Sequence, residues 1–249
     1  MNLMTTRDID ALVLKNEEYR EKDAIVTVLT SQEILRIRAR GVQSLQSKNR
    51  VICQPYSWVH ITIDEKANRF PLLLYGTTKR FYFHILEDLE IQTTCQVLND
   101  LVHLGPIHTS FMNLVNTCWQ AFNTHTNGYT YACLCLKEII HYQGIDPCVD
   151  HCVKCERTDH IEALSIKQGG FLCSYCNPSH VGKKSKADLI QIHSLFHVQP
   201  TAYASFCELY TLTLSDFIQW ASWIGYHLNL KLPSLRFLTS ISDEIGIYY

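Results

Sequence analysis

The sequence predicts an α+β protein: a small β-barrel at the N-terminus, then helices, with a four-cysteine element set between two of them. Three observations lead there. About five short β-patterned runs fall within the first 83 residues. The hydrophobic period changes from strand-like to helical near Glu87. Two C-x2-C pairs, Cys152/Cys155 and Cys173/Cys176, stand 17 residues apart.

Residues 11–15 and 24–30 are rich in Val, Ile and Thr and read as strands. Residues 34–42, ILRIRARGV, alternate strictly: Leu35, Ile37, Ala39 and Gly41 on one side, Arg36, Arg38 and Arg40 on the other. Thr30-Ser31-Gln32-Glu33 joins the second and third strands as a hairpin, without the usual Gly or Asn. Residues 58–63 alternate again, and 72–75 with 77–83 form one more strand or a bent pair broken at Gly76. Five strands in so short a length suit a closed barrel, which removes exposed edges. Strand counting leaves OB-type and SH3-like barrels equally open.

Beyond Glu87, Leu86, Leu89, Val97, Leu98 and Leu101 keep mostly helical intervals. Pro106 opens a stronger helix through Ile107, Phe111, Leu114, Val115, Cys118 and Phe122. Another spans 130–142 and closes at Gly144 and Pro147. The pattern resumes at 189–198 and from 202 to about 230, with a stop at Pro233.

The 249 residues allow one large domain or two modest ones. No apolar run approaches the ~18 residues of a membrane helix, and the N-terminus lacks the basic start of a secretory signal. Eleven cysteines, an odd number in mostly apolar surroundings, argue for a reducing cytoplasm rather than a disulfide framework.

The net charge of −2 conceals an asymmetry. Residues 1–83 hold 13 Lys and Arg against 9 Asp and Glu, whereas the remainder is acidic by six. Between 36 and 50 lie Arg36, Arg38, Arg40, Lys48 and Arg50 with no acid among them. Alternate strand residues are ~6.6–6.8 Å apart, close to the phosphate spacing of a single strand. These five, with Lys79 and Arg80, are the candidate nucleic-acid contacts. Tyr56, Trp58, Tyr75, Phe81, Tyr82 and Phe83 are nearby rings that serve either as stacking platforms or, the favoured reading, as core. The competing view of the arginines is a solvated face paired with Glu17, Glu18, Glu21, Asp23 or Glu33, with Arg40 opposite Asp23.

Two C-x2-C turns supply four thiolates to one tetrahedral Zn2+, and four sulfurs leave no position for water, so the ion is structural. Cys148 and His151 are substitute ligands of lower standing. His160-Ile161-Glu162 followed by Cys173-x-x-Cys176 imitates a zinc deaminase, but no Pro precedes Cys173, and Cys152 and Cys155 would be left without a role. A P-loop is absent. The reading is a non-enzyme, with a nucleobase deaminase or a protein-only interaction scaffold as alternatives.

ALVLKNEEYREKDAIVTVLT, Ala39-Arg40-Gly41 and QPYSWVHITI resemble the N-terminal domain of the RecO family of bacterial recombination mediators. GIDPCVDHCVKC with GGFLCSYC resembles its zinc element, and YHLNLKLPSLRFL its C-terminal signature. The resemblance implies a five-stranded OB-fold barrel over 1–83 and an all-α domain over 84–249, with an inserted four-cysteine zinc finger at 146–178. It implies binding to single- and double-stranded DNA, strand annealing, and RecA loading with RecR and single-strand-binding protein in the cytoplasm, at the nucleoid. Cys152, Cys155, Cys173 and Cys176 fall on the family's ligand positions, and Arg36, Arg38 and Arg40 on its basic strand. The glycine expected after the first C-x2-C is Glu156 here, and the hairpin glycine is replaced around Glu33.

Overall fold

The computed structural model describes residues 5–44, 46–65 and 70–244. The first strand, β1 (Thr5–Tyr19), is three times the predicted length. Its first half pairs with β4 (Ser57–Glu65) and its second half with β2 (Asp23–Leu29). A hairpin joins β2 to β3 (Ile34–Ala39). The Thr30 hydroxyl donates to the Glu33 carbonyl (2.8 Å) and accepts from its N–H (3.0 Å), doing by side chain what the missing glycine does by backbone freedom.

β5 (Leu72–Phe81) runs without a break through Gly76. A Cβ there would lie 2.6 Å from the His60 carbonyl oxygen and from Ile61 Cγ2, so close strand approach explains the glycine. Parallel pairing of Arg38 with Leu72 closes the order β1-β2-β3-β5-β4 into a barrel. With β1 shared by β2 and β4, this is the five-stranded OB arrangement. Val13, Val26, Val28, Ile37, Val59, Ile61 and Leu73 fill its interior. The remaining space is about 10 Å³, room for no more than one water, so any ligand binds outside.

A bulge between Val13 and Lys15 takes the Leu14 carbonyl out of the ladder. Asn99 donates to it at 3.0 Å from α2 (Leu89–Leu101), itself capped by Asp88. α1 (Asn49–Ile52) is a single turn before β4. Trp119 of α3 (Thr109–Asn123) is fully buried and meets the edges of Tyr56 and Tyr82. These contacts make 1–128 one compact unit and 129–249 the other. Strands give way to helices near residue 83, but α2 and α3 belong with the barrel because barrel tyrosines and a barrel carbonyl are completed by them.

The second unit holds most of α4 (Gly128–Tyr142), the hairpin β6 (Ile161–Ser165) and β7 (Gly170–Cys173), and α5 (Lys186–His197). The helix predicted from 202 to 230 is two: α6 (Tyr203–Leu209) and α7 (Leu214–His227). Thr213 and Asp216 form a reciprocal cap that starts α7, a signal the continuous apolar period hides. Pro233, read as a stop, opens α8 (Pro233–Glu244), because proline fits the first turn of a helix. Trp220 and Trp223 are buried, and Trp223 Nε1 donates to the Ile145 carbonyl at 2.8 Å. No described helix is long and apolar enough to cross a membrane.

Candidate nucleic-acid interface and metal centre

The arginines of β3 project outward as alternation requires: Ile37 and Ala39 are buried, Arg36 and Arg40 exposed. They are not equivalent. Arg38 donates twice to Asp23 Oδ2, from Nε (2.9 Å) and Nη2 (2.6 Å), and the Gly41 N–H donates to Asp23 Oδ1 (3.0 Å). The Arg38 side chain is 28% exposed and its partner 15%. The bonds from Arg38 and Gly41 hold the Asp23 carboxyl below its usual pKa. β3 ends at Ala39, so Arg40 enters the turn and Arg38 reaches diagonally to the acid expected for Arg40. Arg36 is looser, 3.6 Å from Glu17 with its guanidinium over the Phe70 ring, and 55% exposed.

Lys79 and Arg80 lie elsewhere on the barrel. Lys79 pairs with Asp10 at 2.7 Å and covers the Trp58 ring. Burial opposes the Asp10 charge, but hydrogen bonds from Lys79 and His60 outweigh it and depress the carboxyl's pKa. Thr62 donates to Asp8 beside this pair. Arg80 donates to the Gln120 side chain at 2.8 Å. This face, with Asp8 and Asp10 outward, offers little to a polyanion.

The end of the barrel at the β1–β2 turn is different. The Gln43 N–H donates to the Lys22 carbonyl at 3.1 Å, bringing the chain leaving β3 against that turn. Arg20, Lys22 and Arg40 stand there, exposed, and Lys48 and Arg50 follow on the same connection. Among the described residues none of these five has an ion-pair partner, although Arg20 lies against the Tyr19 ring. Arg20 and Lys22 escaped the sequence reading because Glu18, Glu21 and Asp23 interleave with them; the tight Tyr19–Asp23 pairing is the signal that places them at a turn.

The aromatic residues divide. Tyr56 and Tyr82 are core. Burial pushes the pKa of both phenols up. Tyr75 and Phe83 are exposed, as is Phe70 beside Arg36.

The four cysteines converge as their spacing predicts. Their sulfurs all lie within 4.8 Å of one another, and Cys155 Sγ is 3.7 Å from Cys173 Sγ. A tetrahedron with metal–sulfur bonds of ~2.3 Å has an edge of about 3.8 Å. Backbone geometry explains the convergence. The Glu156 N–H donates to the Cys152 carbonyl (2.8 Å) and the Cys176 N–H to the Cys173 carbonyl (3.0 Å), closing two tight turns. Glu156 takes φ 61°, the left-handed conformation that glycine adopts most readily. Gly170 is required for another reason: a Cβ there would sit 2.4 Å from the Cys148 carbonyl oxygen.

Burial disfavours the Cys152 thiolate, but N–H groups of Cys173, Lys154 and Cys155 favour it and bring its pKa down to about 6. Hydrogen bonding to Cys155, with burial, pushes Cys176 up to about 12. Four sulfurs this close all ionise only around a cation, so the quartet fits a metal ion. Cys148 is outside the quartet, with its sulfur 3.4 Å from His151 Nε2. The deaminase-like set does not assemble. His160 is exposed against Tyr175, while Glu162 accepts from Asn177 and pairs with His180 and Lys183. Hydrogen bonding to His180, against burial, lowers the Glu162 pKa, the wrong direction for a proton donor.

Comparison with known proteins agrees with this architecture. A family model described as "Recombination protein O N terminal" matches residues 4–73, most of the barrel. The chain is 26% identical over 172 residues to the DNA repair protein RecO of Syntrophomonas wolfei, covering 67% of this chain and 68% of that one. It is 24% identical over 244 residues to the protein of the same name from Bacillus subtilis, covering 94% of each. The Desulforamulus reducens protein of that name is 24% identical over 243 residues, covering 92% of this chain and 93% of its own. The barrel's N-terminal region matches the RecO family model, and the chain is similar to RecO proteins over most of its length.

Proposed function

We propose that this protein is a DNA-binding mediator of recombinational repair whose barrel holds DNA by its phosphates. The observation that carries the reading is the set of five exposed cations, Arg20, Lys22, Arg40, Lys48 and Arg50, without ion-pair partners among the described residues, at and beyond one end of the barrel. Guanidinium and ammonium groups left free on a protein of net charge −2 attract a polyanion locally. The repair role that the relatives' names carry supports the same reading. Arg36 contributes at the margin, Arg38 chiefly braces the turn, and Lys79 and Arg80 are largely occupied.

The remaining assignments are part of the proposal. The quartet holds one structural Zn2+ through Cys152, Cys155, Cys173 and Cys176. Bound there, the ion supplies charge and fixed geometry rather than a reaction centre, because the cysteines fill its coordination sphere. Annealing follows when cations offset repulsion between two strands and needs no catalytic residue. The protein acts in the cytoplasm at the nucleoid, on single- and double-stranded DNA. It works with RecR and single-strand-binding protein in loading RecA, the helical unit offering the protein-binding surfaces.

The test is a salt titration of single-stranded DNA binding. For single strands the log–log slope is about −0.7 per phosphate contact. Replacing Arg40, Lys48 and Arg50 together with Ala makes it shallower by about 2. An unchanged slope removes this end of the barrel from the interface. Absence of binding by the wild type in dilute buffer leaves the protein-only scaffold.

A further inference from the structure

A second group of metal-ligating side chains lies in the helical unit, separate from the cysteine quartet: Asp150, His193 and His197. The two histidines are one turn apart on α5, with rings stacked at 4.1 Å and 17°. Both present Nε2 to the same Asp150 oxygen, at 3.3 Å from His193 and 3.1 Å from His197.

The decisive contact is on the far side of the His197 ring. Its Nδ1 lies 2.8 Å from the His193 backbone oxygen. A carbonyl only accepts, so Nδ1 carries the proton. In the neutral ring Nε2 then bears a lone pair, aimed at a carboxylate oxygen. Two acceptors face each other and need a cation between them. A proton on Nε2 is one such cation, and a metal ion the other. The longer of the two distances fits the metal. N–H···O bonds run ~2.7–3.2 Å, whereas ligands of a tetrahedral ion at ~2.0–2.2 Å are about 3.3–3.6 Å apart; the His193 contact, 3.3 Å, falls in the second range and the His197 contact, 3.1 Å, in the first. Two imidazoliums stacked this closely would also repel, where one divalent ion satisfies both rings. A backbone carbonyl that fixes the tautomer of a ligating histidine is a regular feature of metal sites.

We propose that Asp150, His193 and His197 form a second binding site for a divalent transition ion of the zinc class, with one coordination position open to solvent. All three side chains are exposed, so the ion exchanges freely and binds less tightly than at the quartet. Asp150 lies two residues before Cys152 and His197 ends α5, so an ion here ties the last turn of that helix to the chain entering the four-cysteine element. The proposal stands apart from DNA binding.

The experiment is elemental analysis of the full chain dialysed against a series of free-zinc concentrations. The wild type takes up a second equivalent after the first. H193A/H197A keeps the first and loses the second, and D150N holds the second at least about tenfold more weakly. Cobalt reads the ligands directly: the second ion lacks the thiolate charge-transfer band that the first produces. If the double variant fails to fold, H197Q removes one ligand and must weaken the second equivalent. Wild-type saturation at one zinc, a second equivalent that survives in H193A/H197A or is undiminished in H197Q, or a thiolate band from the second cobalt overturns the proposal.

Discussion

The barrel and the four-cysteine element reach a fixed shape by opposite means. The barrel buries Val13, Val26, Val28, Ile37, Val59, Ile61, Ile63 and Leu73 in a continuous apolar interior. The cysteine element buries a much smaller set: Ala163 and Leu172 cluster with Cys152 and Cys173, and Val149, Leu164 and Phe171 are buried besides. Its hairpin is two short strands, below what is independently stable in water. The barrel is therefore supported by its own side chains and free to carry charge outside. On the proposed reading, the cysteine element depends instead on an ion held by its four sulfurs.

The largest effect that tests this contrast is removal of the proposed metal. If the quartet holds the proposed zinc, chelation, or C173A, should unfold the 146–178 segment, because a structural zinc contributes about 10 kcal/mol or more when binding and folding are coupled. Hydrogen exchange is the measurement. Amides of β6 and β7 lose protection while those of β1 to β5 keep theirs. Protection that persists in β6 and β7 would mean that the small apolar cluster suffices, and the contrast would fail. The reciprocal change is I61A. Truncating this residue, 3% exposed inside the barrel, costs about 2–5 kcal/mol in denaturant unfolding and leaves any metal content of the cysteine quartet unchanged.

Legibility in the sequence followed the same division. Spacing alone located the quartet, because ligand chemistry demands two thiolates from each tight turn, and all four sulfurs gather. Alternation placed Arg36, Arg38 and Arg40 outside β3 correctly. It did not tell which arginine is free, since that depends on where β3 ends and on a diagonal reach to Asp23. The break at Tyr210–Thr213 was masked by apolar residues that suit one helix or two. The facing of His193 and His197 is implicit in their spacing of four on a helix. Asp150 is distant in sequence, and only the fold brings it to them.

Within the barrel, Asp23 joins the two turns that carry the basic end. D23N leaves Arg38 without its anionic partner and weakens the acceptor of the Gly41 N–H, a loss of about 1–3 kcal/mol. The pH dependence has a definite sign. The Asp23 carboxyl titrates below its ordinary value in the folded chain, so its contribution is complete above the unfolded carboxylate range and disappears as pH falls through the folded value. Unfolding curves of wild type and D23N should differ at neutral pH and converge in acid. Equal stability at neutral pH would show that Arg38 is solvated, and would restore it to the candidate phosphate contacts.

The smallest predicted effect is also the most discriminating. R38A and R40A each remove one positive charge from adjacent outward positions of the same strand and its exit. If charge density alone governed DNA binding, both would reduce the salt slope equally. The structure makes them unequal: Arg38 is bound twice to Asp23, and Arg40 is exposed with no partner among the described residues. Removing Arg40 should make the slope shallower by about 0.7, the share of one phosphate contact. Removing Arg38 frees the Asp23 carboxylate beside Lys22 and Arg40, so affinity falls at every salt concentration through local repulsion while the slope moves by less than half as much. Equal slopes would show that the Asp23 pair opens when DNA arrives, and that the binding track is the whole outer face of β3 rather than the end of the barrel.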